Sequence, residues 1–225
     1  MSHDHDLVLA IDQGTTGSTC LLVDAELRVL ARQTHEFPQH FPQPGWVEHE
    51  PDQIWDSVVR AIADVLAKSG VDARRIAAIG VTNQRETSLV WHRDGGRPIH
   101  RAIVWQDRRT ADRCAELRAA GHQDRVRALT GLVLDPYFAG TKLAWLLDHV
   151  DGARAAASAG KLAAGTIDTF LVWRLTGGRV HATEPSNASR TLLWPLAGGG
   201  WSAEMCELLR VPEAMLAEVR PCTAE

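Results

Sequence analysis

The chain has 225 residues, 45% of them hydrophobic, enough for one large domain or two small ones with a substantial core. Its 28 acidic and 24 basic residues leave a formal charge of −4 with no long run of one sign, which argues against a nucleic-acid binder. Cys20, Cys114, Cys206 and Cys222 stand far apart with no CxxC pair, so a zinc ribbon or disulfide scaffold is disfavoured. Reduced, buried thiols in a cytoplasmic protein are expected instead.

Residues 1–6 are polar and read as a disordered, solvated terminus rather than a signal peptide, with His3 and His5 solvated rather than metal-bound. No apolar run approaches the ~20 residues of a membrane span, so membrane association is not indicated. Leu7-Val8-Leu9-Ala10-Ile11 is a continuous apolar run of the kind buried on both faces of a sheet. After Asp12-Gln13-Gly14-Thr15-Thr16-Gly17-Ser18 come Thr19–Val23, a turn at Asp24-Ala25-Glu26, and Leu27–Ala31, which together predict two successive antiparallel hairpins. The three prolines between Pro38 and Pro44 mark a loop.

Pro51 opens a helix whose stripe is Ile54, Trp55, Val58, Val59, Ile62 and Leu66, with Gly70 at the C-terminal cap. Ile76–Val81 reads as a second buried strand, and Thr87–Trp91 as another before a turn at Asp94-Gly95-Gly96. Helical patterns follow at Arg109–Ala120 and Lys142–Val150, and the alanine-rich 153–164 reads as a helix and its end. Gly165–Leu175 is apolar, and Met205–Leu209 gives a last helix. Trp55 and Trp145, on helix stripes, are assigned to the core. The β-β-β-α-β order is not a doubly wound alternation. It predicts an α/β fold of ribonuclease-H-like (actin/hexokinase) type, a mixed sheet of five or more strands flanked by helices, with Asp12 ending the first strand.

Four segments carry chemistry. In Asp12–Ser18 a carboxylate closes a strand before a glycine turn rich in hydroxyls and backbone N–H groups, which suits phosphate and its Mg²⁺. Taken alone, an ordinary hairpin turn is the better reading. There is no Walker loop, GxGxxG or protein-kinase catalytic loop. Thr82-Asn83-Gln84-Arg85-Glu86-Thr87 sets polar groups between two apolar strands. Arg85 and Glu86 place donors beside an acceptor, as a polyol requires, though a salt-bridged turn is an equally good reading. The third and fourth segments, Ile103–Thr110 and Asp135–Lys142, supply Trp105 and the lone tyrosine, Tyr137, as an aromatic wall for a polyol's C–H face. For Trp105, core packing is the alternative.

In this order the segments resemble the FGGY carbohydrate kinases, and among them the glycerol kinases, from Leu7 to about Arg220. Ile11–Thr16, Pro44–His49, Ala78–Thr87, Val104–Gln106, Thr130–Phe138 and Ser186–Thr191 carry the resemblance. Asn83–Thr87 with Asp135–Phe138 is its most specific part and points to glycerol. The resemblance implies ATP-dependent phosphorylation of glycerol to sn-glycerol 3-phosphate with ATP and Mg²⁺. Thr15, Thr16, Gly17 and Thr19 then belong to the phosphate-binding hairpin, and Asp12 faces Mg²⁺ and the transferring phosphoryl group. Arg85, Glu86 and Tyr137 hydrogen-bond glycerol, and Trp105 packs on its carbon face.

Thr19 stands where the family carries an arginine, and Glu184-Pro185 replaces the usual aspartate and aromatic. By the same resemblance, residues 7–225 form the N-terminal domain. The catalytic aspartate and the ATP-binding domain are expected to be absent, and the chain alone inactive. A homo-oligomer is compatible with the family. Two other readings stand: an FGGY kinase for another polyol or sugar, and a non-catalytic binding fragment.

Overall fold

The structure, a computed structural model, describes residues 6–223, which fall into two units: residues 6–39 with 49–84, and residues 40–48 with 85–223. The rest of the polar terminus, with His3 and His5, lies outside the described residues; Asp6 itself pairs with Arg75 at 2.6 Å.

The first unit is a four-stranded sheet under one helix. Strands β1 (Leu7–Gln13), β2 (Gly17–Val23) and β3 (Val29–Glu36) form the two expected hairpins. Passing β4 (Glu48–His49), helix α1 (Pro51–Ser69) leads to β5 (Ile76–Asn83), which pairs parallel with β1. The order is β3-β2-β1-β5, so the sheet holding Asp12 has four strands rather than five among the described residues.

Burial in β1 alternates: Leu7, Leu9, Ile11 and Gln13 are buried, whereas Val8 is 41% exposed. The run expected to be covered on both faces is covered on one. α1 supplies that cover through Ile54, Val58, Ala61 and Val65; Trp55 is only partly buried and Val59 is exposed. A buried hydroxyl pair, Ser18–Ser57 at 2.7 Å, joins β2 to the helix. Pro51 sits in the first turn, and Gly70 caps the end at φ 65°, donating to Leu66 O. β5 departs most from expectation. Ala77, Ala78, Ile79 and Gly80 are all exposed on what is the sheet's edge strand.

In the second unit β6 (Ser88–His92), β7 (Ala102–Ile103) and β8 (Leu162–Thr166) form a sheet in the order β4-β7-β6-β8. Helices α2 (Ala111–Ala119), α3 (Gln123–Thr130), α4 (Ala139–His149) and α5 (Ala153–Ser158) precede β8. After it come α6 (Ile167–Leu175), β9 (Ala182–Thr183), α7 (Pro185–Ala188), α8 (Ala203–Leu209) and β10 (Glu218–Val219), which pairs with β9. One core gathers Val90, Ile103, Leu143, Leu146, Leu147, Leu162, Leu192 and Met205. A second centres on Trp91, edge-to-face with Phe170, Trp173 and His181. No described helix is long and apolar enough to cross a membrane.

Candidate functional site

The second unit brings three of the four expected polyol residues together. Arg85 and Glu86 form the turn before β6, and Glu86 takes the left-handed backbone, φ 63°, uncommon for a side chain of its size. Its carbonyl accepts from Ser88 Oγ at 2.9 Å and from Lys142 Nζ at 3.2 Å. Its carboxylate, 5% exposed, accepts from Arg190 Nε at 2.6 Å.

The same two cations reach Tyr137. Lys142 Nζ donates to the Tyr137 carbonyl at 2.5 Å, and the Arg190 guanidinium lies 5.9 Å from the Tyr137 ring and 4.9 Å from that of Phe138. Trp105 meets Tyr137 edge-to-face at 5.7 Å, and its backbone N–H donates to Thr87 Oγ1 at 3.2 Å. Glu86, Trp105 and Tyr137 thus form one polar and aromatic corner. Arg85 is exposed on the same turn.

Several local features hold this corner. Asp135 Oδ1 accepts from the Tyr137 N–H at 2.9 Å and from Arg108 Nη1 at 3.0 Å, setting the turn into α4. The first N–H groups of α4 donate outward, Ala139 to Arg190 O and Gly140 to Thr191 O, which docks the Arg190 segment on the helix start. Only glycine permits this approach, since a Cβ on Gly140 would lie 2.5 Å from Thr191 O. Behind Trp105, Asp107 accepts from the Val47 N–H at 2.6 Å and pairs with Arg109, which also reaches Glu48 at 2.9 Å. The Arg109 side chain is fully buried and lies over Trp46 at 3.8 Å and Trp145 at 4.6 Å. Trp145, expected in the core, is half-buried in this stack beside His149.

Lys142 is wholly buried, and that burial pushes its ammonium from the ordinary 10.5 down to about 7, against the pull of Glu86, Asp107 and Asp135. Asp168, buried between the Thr166 and Thr183 hydroxyls, is shifted upward by burial.

The first unit holds the hairpin residues. Asp12 is exposed near the carboxyl end of β1, and its register partners are Thr19 on β2 and Thr82 on β5; Thr19 in turn faces Thr34. Paired residues project from one face, so a carboxylate and three hydroxyls form a row across four strands. Thr19 Oγ1 and Thr34 Oγ1 are 2.8 Å apart.

Thr15 and Thr16 lie in the turn closed by Gly14 N–H to Gly17 O at 2.9 Å. A Cβ on Gly17 would come within 2.8 Å of His35 O, so β3 can pass there only beside glycine. The turn rests on a buried polar knot: Gln13 Nε2 and Gln84 Nε2 both donate to Gly14 O, and Gln84 also meets His49 Nδ1 at 3.2 Å. Among the described residues no three His, Cys, Asp or Glu side chains cluster as a metal site. A single carboxylate with hydroxyls fits a hard cation that keeps its waters and phosphate oxygens, as Mg²⁺ does.

Sequence reasoning assigned no role to Arg190, Lys142, Gln13 or Gln84. Three stand inside segments it singled out and Arg190 in a matching stretch. The one local signal was at Gln13, an amide that continues the alternation of Leu7, Leu9 and Ile11 and so needs a partner.

A hairpinned mixed sheet under a helix, with a carboxylate at the end of its first strand, defines the actin/hexokinase type of kinase fold. A glycerol kinase of Plasmodium falciparum, solved with ADP, superposes with a TM-score of 0.89 at 31% identity over 96% of this chain and 43% of that one. A xylulose kinase of Rhodospirillum rubrum gives 0.86 at 25% identity, over 96% and 43%. Glycerol kinases of Bradyrhizobium sp. (strain ORS 278) and Chelativorans sp. (strain BNC1) are 58% and 56% identical over 218 residues, 97% of this chain. The sequence model of the N-terminal domain of the FGGY family of carbohydrate kinases matches residues 7–225, and the chain belongs to that family. It spans 44% of the length of those two relatives.

Proposed function

We propose that this chain supplies the polyol-recognising and phosphate-facing part of an ATP-dependent glycerol kinase. The observation that carries this reading is the meeting of Glu86, Trp105 and Tyr137, from three separate segments, around a turn that also exposes Arg85. The identity to glycerol kinases supports glycerol over other polyols.

In this reading the Glu86 carboxylate, oriented by Arg190, accepts from glycerol hydroxyls while the Arg85 fork donates to them. The edges of Trp105 and Tyr137 cover the carbon face and exclude water. So oriented, a primary hydroxyl attacks the γ-phosphorus of ATP in line; its oxygen gains the phosphoryl group, ADP leaves, and the proton passes to a carboxylate base. Transfer of this kind depends on position and charge. The Gly14–Gly17 turn offers N–H groups and threonine hydroxyls to phosphate oxygens. Asp12 and its neighbouring hydroxyls would hold the hydrated Mg²⁺, which supplies neutralisation of phosphate charge. The base and the adenine site belong, in this reading, to the part of the longer relatives that this chain does not span.

Calorimetric titration of glycerol into the 225-residue chain tests the reading, with xylulose as competitor. Saturable glycerol uptake, lost in Arg85→Ala without loss of melting temperature, is the expected result. Preference for xylulose, or no difference between the two proteins, would refute it.

A further inference from the structure

Lys142 belongs to no contact with glycerol in the reading above, yet its placement is unusual. A lysine whose whole side chain is buried sits in the first turn of α4, where an apolar residue would pack at lower cost. Its ammonium donates to two main-chain carbonyls 51 positions apart, those of Glu86 and Tyr137. One belongs to the residue held at φ 63° and the other to the single tyrosine. A backbone conformation of that kind persists only where its surroundings over-determine it. The second partner of the Glu86 carbonyl, Ser88 Oγ, is local to the turn and fixes nothing relative to Tyr137.

Resting on the polyol reading, we propose that Lys142 is a positioning residue. By fastening the two carbonyls to one ammonium, it holds the Glu86 turn in its left-handed form and sets the separation of the Glu86 and Tyr137 side chains for a three-carbon polyol. Three N–H donors on a flexible stem suit this task, because the stem threads the core and the head alone does the fastening. Arg190 does a different job, orienting the Glu86 carboxylate from its other side.

The test uses Lys142→Met, which keeps the stem and removes the donors, and Lys142→Gln, which returns two of them on a shorter arm. Glycerol affinity is read by calorimetry and backbone protection by hydrogen exchange. In Lys142→Met glycerol affinity is expected to fall at least tenfold. Exchange should quicken over residues 85–87 and 136–138, and stay unchanged over 143–147 and 88–92. Lys142→Gln should recover part of both. Affinity within twofold of the parent, or unaltered exchange over 85–87, overturns the proposal, as does loss of folding in both variants, which would make Lys142 a core-stability residue. Failure of the parent chain to take up glycerol refutes the polyol reading instead, and the exchange over 85–87 and 136–138 then decides the role of Lys142 by itself.

Discussion

An ammonium group stripped of water releases its proton early, and Lys142 makes this measurable. Its folded value near 7 lies below its ordinary 10.5, so above pH 7 the unfolded chain binds more protons than the folded one. Stability therefore rises with pH, by at most about 1.4 kcal/mol per unit. The rise is opposed from about pH 9 by Cys20 and Cys206. Burial pushes these thiols from 9.0 to about 12 and about 11, so the folded state ionises later than the unfolded one. Urea midpoints should climb between pH 7 and about 9 and then level or fall. Lys142→Met should flatten the climb and leave the alkaline decline; a parallel profile in that variant would contradict the burial argument. Glu86 offers a second test, since its left-handed φ costs any residue with a Cβ more than it costs glycine. Glu86→Gly should be about 1 kcal/mol more stable than Glu86→Ala, the reverse of their order in a helix, while both lose glycerol. Equal unfolding free energies for the two would remove the strain.

Among the elements, β1, β2, β3 and α1 were legible because each carries a local signal: short turns for the hairpins, proline and glycine at the helix ends. β5 was not. Its composition, Ile-Ala-Ala-Ile-Gly-Val, is that of a buried strand, but burial depends on neighbours that composition does not name. β8 was hidden for a related reason: Leu162-Ala163-Ala164 continues the alanines of α5, and a short apolar run does not distinguish helix from strand. The exposed edge of β5, uncharged and eight residues long, is a template for pairing with another chain. Ile79, 50% exposed, packs little at that edge. Ile79→Lys is expected to raise the concentration at which the chain stays monomeric in sedimentation, with an unfolding free energy within about 0.5 kcal/mol of the parent's. Unchanged self-association would mean that the β5 edge is not the adhesive surface.

At the level of the whole molecule, the site was legible where a residue meets its ligand and illegible where one residue holds another. Glu86, Trp105 and Tyr137 were found from their chemistry, whereas Arg190 and Lys142 act across 104 and 56 positions, and no local pattern announces such a partner. In-line transfer needs ATP held on both sides and a base within reach of the hydroxyl. On the proposed reading, in which the base and the adenine site lie in the part of the longer relatives that this chain does not span, the purified 225-residue protein is expected to take up glycerol yet form no measurable glycerol 3-phosphate. Turnover near the ~1–100 s⁻¹ usual for kinases would show that these residues suffice.

The division into units also has a clock in it. Residues 40–48 interrupt the sequence of the first unit but belong to the second, and Val47 bonds to Asp107, 60 positions on. A ribosome adding roughly 5–20 residues each second finishes the stretch from Val47 to Asp107 only after about 3–12 s. Through that interval the nascent Trp46-Val47-Glu48 stretch waits without Asp107 and Arg109, the residues that will bond to it and lie over its tryptophan, and it is there that a chaperone would find the newborn chain.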